Sequence, residues 1–495
     1  MTLQILIDRA TPMARNRLIQ ALSTQLDSRV ELDQLHVSVA RGLAITGGGL
    51  RVFPNNQAIA SETNEPLIAV ASFAFHANLA GLLFKPMHVG AVHVRGLAIN
   101  IPPKHGQNGA SGRRRLAKPK FVIDEVICDD SSLTIGTNKP DKSPLVFELQ
   151  HIVMHGVGRE NPWPYEATLT NAIPRGEIEA SGTFGPWNTE SPGDSNVTGK
   201  YLFDHADLNT IRGIGGILHS TGEYSGHLDR IEAHGHVDVP DFSLDTANRS
   251  VPLETEYSAT IDGMNGDTYL NKVDAKLAGS SFTCTGAIVS EKGKGHHIDV
   301  DADVPAGRMQ DFLDLAVKSS PHVMSGVIRT KARVDILPGH DIPIIHRLSM
   351  KGNFSLQQIH FTDPEIEDKV DMMSLRAQGK PKEAKPGAPD VHSEMTGHFE
   401  MKDGQMTLPD LHYELPGASV QLAGSYTLDG KQFEFTGKVR TSAELSKMVA
   451  SKWKSILLKP VDPFFHKNGA GAEIPIKVSG AGDKPHIGLK FGGDK

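Results

Sequence analysis

The chain has 495 residues, a formal net charge of −7 and a sequence pI of about 6.4. Its length exceeds the usual span of one compact core, which predicts two or three subregions or one elongated body. The acidic balance argues against nucleic acid as the main partner. The count of two cysteines, Cys128 and Cys284, excludes a disulfide framework.

The first predicted element is an amphipathic helix over residues 11–26. It is predicted to begin at Thr11-Pro12, where a capping residue precedes a proline at the first helical position. Short strands follow as far as residue 101, with a short helix predicted over residues 78–84. The next segment, Pro102 to Lys120, contains Gly, Ser, Asn and a basic cluster, and we expect it to form a mobile loop.

The middle of the chain, from Phe121 to Val304, reads as strands separated by turn residues. One break at residues 207–218 predicts a short helix interrupted by glycine. The predictions that follow are, in chain order, a helix over 306–318, strands over 326–336, 348–356 and 370–378, and a linker over 380–390 with nothing to bury.

The clearest pattern lies in the C-terminal third, where apolar and polar residues alternate from Val420 to Leu428 and again from Phe433 to Val439. The Asp429-Gly430 turn between the two runs predicts a β-hairpin. A capping box from Thr441 to Glu444 predicts a last helix that ends before Pro460. Two further strands are predicted, one from Ile474 to Gly480 and one from Ile487 to Phe491.

Glycine recurs on the apolar side of these strands, at Gly397, Gly424, Gly437 and Gly480. Glycine weakens a strand, so its recurrence indicates sharp curvature or the close approach of a ligand. The alternative is that these glycines only bend a packed sandwich.

Altogether the sequence predicts about 25 strands and four short helices, with an all-β, mainly antiparallel fold. We expect an elongated, twisted and curled β-sheet groove in three regions, 1–120, 121–379 and 391–495. A sheet with one apolar face and no second sheet over it would expose more than the ~300–600 Å² patch of a typical monomer. The candidates for lining this groove are Val420, Leu422, Tyr426, Leu428, Phe433, Phe435, Val439, Ile476, Val478, Phe282 and Ile288. The alternative is that these side chains pack a closed core.

No pattern typical of catalysis, of a metal site or of a cofactor site occurs. The runs His296–Asp303 and His234–Asp238 alternate polar with apolar residues and indicate a solvated strand face, because residues two apart on one strand rarely close a metal shell. The sequence therefore predicts a protein that is not an enzyme.

No run approaches about 18 consecutive apolar residues, and the first residues lack the features of a signal peptide. Taken alone, these two observations suggest a cytosolic protein.

Several stretches resemble the AsmA family of bacterial envelope proteins, including its C-terminal region, and their order agrees with that family. Together they cover most of the chain. The matching stretches are residues 30–52, 67–103, 221–245, 374–385, 395–430 and 474–492.

This resemblance implies a protein anchored in the inner membrane, whose body projects into the periplasm as a long, curved β-groove. The wider group is similar to bridge-like lipid carriers. The implied partners are phospholipids, the bacterial inner membrane and other envelope-assembly proteins. Family members usually carry a transmembrane helix just before the segment matching Thr11–Leu26, so we expect either a truncated anchor or a start codon placed late. The alternative function is a periplasmic scaffold that binds partner proteins without carrying lipid.

Overall fold

The chain is built almost entirely from β-strands in a computed structural model. The structure describes residues 2–26, 28–38, 43–54, 65–77, 87–101, 121–137, 140–158, 160–187, 192–245, 247, 249–316, 322–339, 341–428, 432–450, 471–481 and 484–489. The predicted helix at 78–84 and the predicted loop at 102–120 lie outside these residues.

The described residues form 25 strands. These are β1 (Ser28–Glu31), β2 (Gln34–Ser38), β3 (Leu43–Pro54), β4 (Ile68–Ala77), β5 (Met87–Ile101), β6 (Phe121–Ile135), β7 (Leu145–Val157), β8 (Trp163–Ala172), β9 (Arg175–Phe184), β10 (Asn196–Asp207), β11 (Ile214–Gly215), β12 (Ile217–His227), β13 (Arg230–Leu244), β14 (Ser250–Ile261), β15 (Thr268–Leu277), β16 (Ser280–Glu291), β17 (Gly295–Arg308), β18 (Met324–Ile336), β19 (Leu348–Phe361), β20 (Glu394–Lys402), β21 (Gln405–Leu415), β22 (Ala418–Thr427), β23 (Phe433–Thr441), β24 (Ala472–Ala481) and β25 (Lys484–Leu489).

The helices of the described chain are few. They are α1 (Thr2–Leu26), α2 (Met309–Ala316), α3 (Ile344–Arg347) and α4 (Pro364–Ala377), with 3₁₀ turns at Pro192–Asp194, Leu208–Thr210 and Leu445–Met448. None of them combines the length and the apolar character needed to cross a membrane.

All the strands belong to one sheet, and most pair with their neighbours in the sequence. The pairs are antiparallel except for β5 and β6, which are parallel. At one end of the sheet, β1 and β2 both pair with β3. In the interior of the sheet, β12 pairs with β10 and β13. The sheet is curled, which confirms the predicted all-β fold with a curled groove. The three predicted regions share this sheet, because β5 pairs with β6 and β19 pairs with β20; their boundaries stay predictions.

Distant turns of the sheet meet at a contact that we call the seam, formed by residues 140–143 with residues 265–267 and 290–293. The Lys142 Nζ donates to Asp267 Oδ1 at 2.6 Å, and only 3% and 5% of these two side chains are exposed. Lys142 also donates to the Ser290 carbonyl.

A second contact of the same kind joins the segment before β12 to α3. The Ile344 amide donates to the Arg212 carbonyl at 3.1 Å, and Arg212 Nη1 donates to the Asp341 carbonyl at 2.8 Å. Successive turns in a meander lie alternately at the two ends of the strands, and we call these two sides of the sheet its edges. By that alternation the β6–β7 and β14–β15 turns lie on opposite edges, as do the β10–β12 and β18–β19 connections. Because these edges touch, we infer that the ribbon winds around its own axis, as twisted strands favour.

Two small cores lie near the ends of the sheet. One contains Leu32, Leu35, Phe73 and Cys128, and α1 packs against it through Leu18 and Ile19. The other contains Leu356, Ile359, Tyr413 and Val420, and α4 covers it through Val370, Met373 and Ala377. Helices thus cover part of the apolar surface, on strands near both ends.

The strand predicted over 370–378 is wrong, because residues 370–377 belong to α4 and Gln378 is its C-cap. The helix begins after Asp363, whose side chain accepts from the Glu365 amide, with Pro364 in the first turn. This cap and proline are a helix start that outweighs the short apolar alternation after it. The prediction that the linker over 380–390 buries no side chain is also wrong, since Ala384 is only 8% exposed.

The predicted limits of the other helices need correction. The first helix begins at Thr2 and contains Pro12, so Thr11-Pro12 is not its start. Thr441 lies in β23, and only Leu445–Met448 is helical in the described part of the predicted last helix. The prediction over 207–218 holds only as a 3₁₀ turn followed by β11. By contrast, α2 lies within the helix predicted over 306–318.

Candidate functional site

The candidate site is one face of the sheet, which we call the apolar face. Residues directly opposite each other on paired strands point to the same side, so the register traces this face from strand to strand. From β7 to β20 one continuous row of partners is Ile152, Ala167, Ala180, Tyr201, Gly222, Gly235, Tyr257, Val273, Cys284, Ala302, Ala332, Gly352 and Phe399. Every member of the row is half-buried.

The next row along the strands lies on the other side, which we call the polar face. Its partners from β8 to β15 are Glu166, Ser181, Lys200, Glu223, His234, Ser258 and Lys272. All of them except Ser258 are exposed. Side chains crowd on the concave side of a curled sheet and spread on the convex side, so the difference in exposure places the apolar face inside the curl.

Ionisable groups on the apolar face report its low polarity. Burial raises the pKa of the Cys284 thiol to about 11 and is the largest influence on it. Burial likewise raises the pKa of Tyr257, followed by its hydrogen bond with Tyr201. Removal from water penalises the charged form of each group, so the environment of this face disfavours charge.

Tyrosine rings lie across glycines on this face in two similar arrangements. In the first, Tyr201 and Tyr257 flank Gly222 and Gly235, and their hydroxyls form a hydrogen bond. The Tyr201 hydroxyl also bonds Ser220 Oγ at 2.8 Å. Two tyrosines thus span three strand spacings, about 14 Å.

The second arrangement repeats the first, with Tyr165 and Tyr224 flanking Gly182 and Gly199. A Cβ added at Gly199 would lie 2.6 Å from the Tyr224 hydroxyl oxygen and 2.6 Å from the Ser181 carbonyl oxygen. Glycine is therefore needed here for the close approach of a ring and of the neighbouring strand.

The glycines singled out in the sequence have similar neighbours. A Cβ added at Gly424 would lie 2.6 Å from the Phe435 ring, and one at Gly397 would lie 3.2 Å from the Phe354 ring. At Gly437 the nearest atom is the Gln421 carbonyl oxygen. The groups that closely approach these three glycines are thus aromatic rings and strand backbone, and the approach of a ligand stays a prediction.

The predicted lining residues fall on the apolar face wherever they lie in strands. In the register, Val420 is opposite Val439, Phe435 is opposite Val478, and Tyr426 is opposite Phe433. Leu422 and Ile476 are both partners of Gly437. Phe282 and Ile288 lie on the same face of β16 as Cys284, and Leu428 follows the end of β22.

These residues differ in what covers them. Val420 and Val439, 5% and 9% exposed, belong to the core under α4, and Leu422 and Ile476 pack against it. The remaining candidates are half-buried and lie outside that core. Which of these positions contact a ligand stays a prediction.

The histidines of the polar face pair with carboxylates. His236 Nδ1 lies 2.9 Å from Glu256 Oε1, and His297 Nε2 lies 3.0 Å from Asp335 Oδ1. His234 is exposed. The alternating polar residues of the two histidine-containing runs thus lie on the polar face, and the interpretation that they bind no metal stays a prediction.

One polar cluster escaped the sequence analysis. Asp204, His205 and His219 place a ligand atom each within 4.8 Å of one another. Asp204 and His205 are neighbours that regular alternation would send to opposite faces. A bulge between Phe203 and Ala206 brings them together, and no local sequence pattern marks it.

Three comparisons with known proteins gave no match: no protein-family model, no curated protein and no solved structure matches this chain. Membership of the AsmA family therefore stays a prediction.

Proposed function

We propose that the apolar face binds the acyl chains of phospholipids and conducts them along the sheet, without catalysis. The observation that carries the proposal is the unbroken row from Ile152 to Phe399, in which all members are apolar residues, glycines or tyrosines. A continuous row of this length would present a far larger apolar surface than the patch of a few hundred Å² that a soluble monomer tolerates.

Acyl chains suit such a surface because the hydrophobic effect is non-directional and scales with the apolar area removed from water. Since this attraction needs no directional contact, an acyl chain can slide from strand to strand at little cost. The polar head groups would stay at the edges of the sheet, where they remain hydrated. Charges on the opposite face, such as the Lys200–Glu223 pair at 2.8 Å, keep that face in water.

We further propose that the protein works in the bacterial envelope, at the inner membrane and facing the periplasm, and supports outer-membrane assembly. The support for this setting is the resemblance of the sequence to the AsmA family. Its partners would be phospholipids, the inner membrane and other envelope-assembly proteins.

Photo-crosslinking on neighbouring residues of β23 tests lipid binding. A benzophenone amino acid at Phe435 would lie on the apolar face, opposite Gly424 and Val478, while one at Thr436 would lie on the polar face, opposite Lys477. After irradiation of cells, we expect phospholipid adducts from position 435 and none from position 436, detected by mass spectrometry of the purified protein.

The second candidate function is a scaffold that binds partner proteins. It is favoured by the two cores, in which α1 and α4 already cover apolar surface. Protein adducts at position 435 without lipid adducts would support the scaffold and contradict lipid binding. Equal lipid labelling from positions 435 and 436 would also contradict lipid binding by the apolar face, since the labelling would then depend on the exposure of the residue and not on its face.

A further inference from the structure

The geometry points to a site for Zn²⁺ on the polar face, formed by Asp204, His205 and His219. His205 Nδ1 lies 2.7 Å from Asp204 Oδ2, and His219 Nδ1 forms a hydrogen bond with Asp204 Oδ1. The two imidazole rings meet edge to face, with centroids 5.1 Å apart. Two imidazoles and a carboxylate are the donor set of open zinc sites, and imidazole does not suit Mg²⁺ or Ca²⁺.

The backbone makes this convergence possible. His205 has a φ of +51°, in the left-handed region that non-glycine residues rarely occupy. The bulge turns the His205 side chain back beside Asp204, and β12 brings His219 from the next strand. Bulges of this kind re-aim side chains and are found next to functional sites.

The surroundings add negative charge that a cation would relieve. Glu177 lies directly opposite Asp204 on β9, and Asp238 lies directly opposite His219 on β13. Like charges directly across a ladder destabilise it. In the described part of the chain, no lysine or arginine lies within 4.0 Å of any of these three carboxylates.

The cluster differs from the other histidine–carboxylate pairs of the polar face. In the His236–Glu256 and His398–Asp410 pairs one imidazole meets one carboxylate, and at His297 one imidazole lies between Glu291 and Asp335. At Asp204 each carboxylate oxygen faces a different imidazole, that of His205 on the same strand and that of His219 on β12. The arrangement leaves room for water to complete the zinc shell, because all three side chains are more than a third exposed.

Calorimetric titration of the full chain with ZnCl₂ tests the site. We expect one zinc ion to bind per chain, and His205→Ala or His219→Ala to weaken binding by more than about tenfold. His236→Ala is the matched control, a histidine on the neighbouring strand β13 whose side chain is 45% exposed, against 38% for His219, and we expect it to leave the affinity unchanged. Circular dichroism confirms that each variant is folded.

Cobalt substitution gives a second readout that does not depend on affinity. Co²⁺ bound by imidazole and carboxylate absorbs in the visible range, and we expect this band in the parent protein and in His236→Ala but not in the two cluster variants. If either cluster variant fails to fold, Asp204→Asn replaces it, and we expect the same loss of zinc binding and of the cobalt band. Zinc binding that survives both histidine substitutions, or that falls equally in His236→Ala, would overturn the assignment.

Discussion

At the scale of single residues, the apolar face depends on glycines that let aromatic rings lie flat. A Cβ at Gly235 would lie 2.7 Å from the Thr221 carbonyl oxygen and 2.8 Å from the Tyr201 hydroxyl oxygen. One of these neighbours is backbone, which a side-chain rotation does not relieve.

We therefore expect Gly235→Ala to lower the free energy of unfolding by about 1–3 kcal/mol, as other overpacking changes do. Urea unfolding followed by circular dichroism measures the change. Gly90→Ala is the control for the glycine-to-alanine change itself, since the atom nearest to a Cβ there, the His76 carbonyl oxygen, lies 3.7 Å away, which is an ordinary contact. A loss at Gly235 no larger than that at Gly90 would contradict the close approach of the rings.

Histidine–carboxylate pairs on the polar face make stability depend on pH. His398 Nδ1 lies 2.8 Å from Asp410 Oδ2, and this hydrogen bond is the main reason why the pKa of Asp410 lies below its ordinary value of 3.8. A carboxylate with a lowered pKa stabilises the fold above its ordinary pKa, and the stabilisation is lost as the pH falls through the lowered value.

We expect Asp410→Asn to be less stable than the parent above about pH 4, with the difference closing at lower pH. Urea midpoints measured from pH 6 to pH 2.5 test this. Asp403→Asn, in the exposed turn between β20 and β21, controls for the loss of one negative charge. A difference that stays constant over the whole range would contradict the role of the His398 pair.

The strands that the sequence predicts correctly are those whose pattern is local. The alternation from Val420 to Val439 predicted both strands of the β22–β23 hairpin and the face that each side chain occupies. It failed at Asp204 because a bulge shifts the face of His205, and alternation carries no record of a bulge.

At the scale of elements, the same contrast separates helices from strands. In α4 the apolar residues Val370, Met373 and Ala377 have helical spacing and follow a capped start at Asp363. That signal is present in the sequence, but the short alternation after Val370 predicts a strand over the same residues. The seam carried no such signal, because Lys142 and Asp267 are separated by 125 residues.

The seam is a buried polar contact between distant elements. Its two charges are buried, so removal of one partner leaves the other uncompensated, at a cost of about 3–5 kcal/mol. We expect Lys142→Met to lower the free energy of unfolding by this amount, and the double variant with Asp267→Asn to recover part of the loss. Urea unfolding of the four proteins in this cycle gives the coupling energy.

Lys200→Met is the matched control for the seam, because the Lys200–Glu223 pair is exposed on the polar face. Exposed ion pairs contribute little, so we expect almost no change. Equal effects of Lys142→Met and Lys200→Met would contradict the buried contact, and with it the winding of the sheet that brings the two edges together.

At the scale of the whole molecule, one sheet separates an apolar face from a polar one over nearly its full length. The hydrogen-bonded register, and not any single pocket, defines the proposed lipid path. A charge placed in the row should therefore disturb binding wherever it is introduced, because a buried carboxylate is strongly penalised in contact with acyl chains.

Native mass spectrometry of the full chain, purified from membranes in mild detergent, tests the central claim most directly. We expect several phospholipids bound to the parent protein and fewer bound to Ala302→Glu, which places a carboxylate in the row between Cys284 and Ala332. Ser281→Glu, on the polar face opposite Lys276, should keep the parent's lipid content. A folded parent protein that carries no phospholipid, or an Ala302→Glu variant that carries as much as the parent, would contradict the proposal.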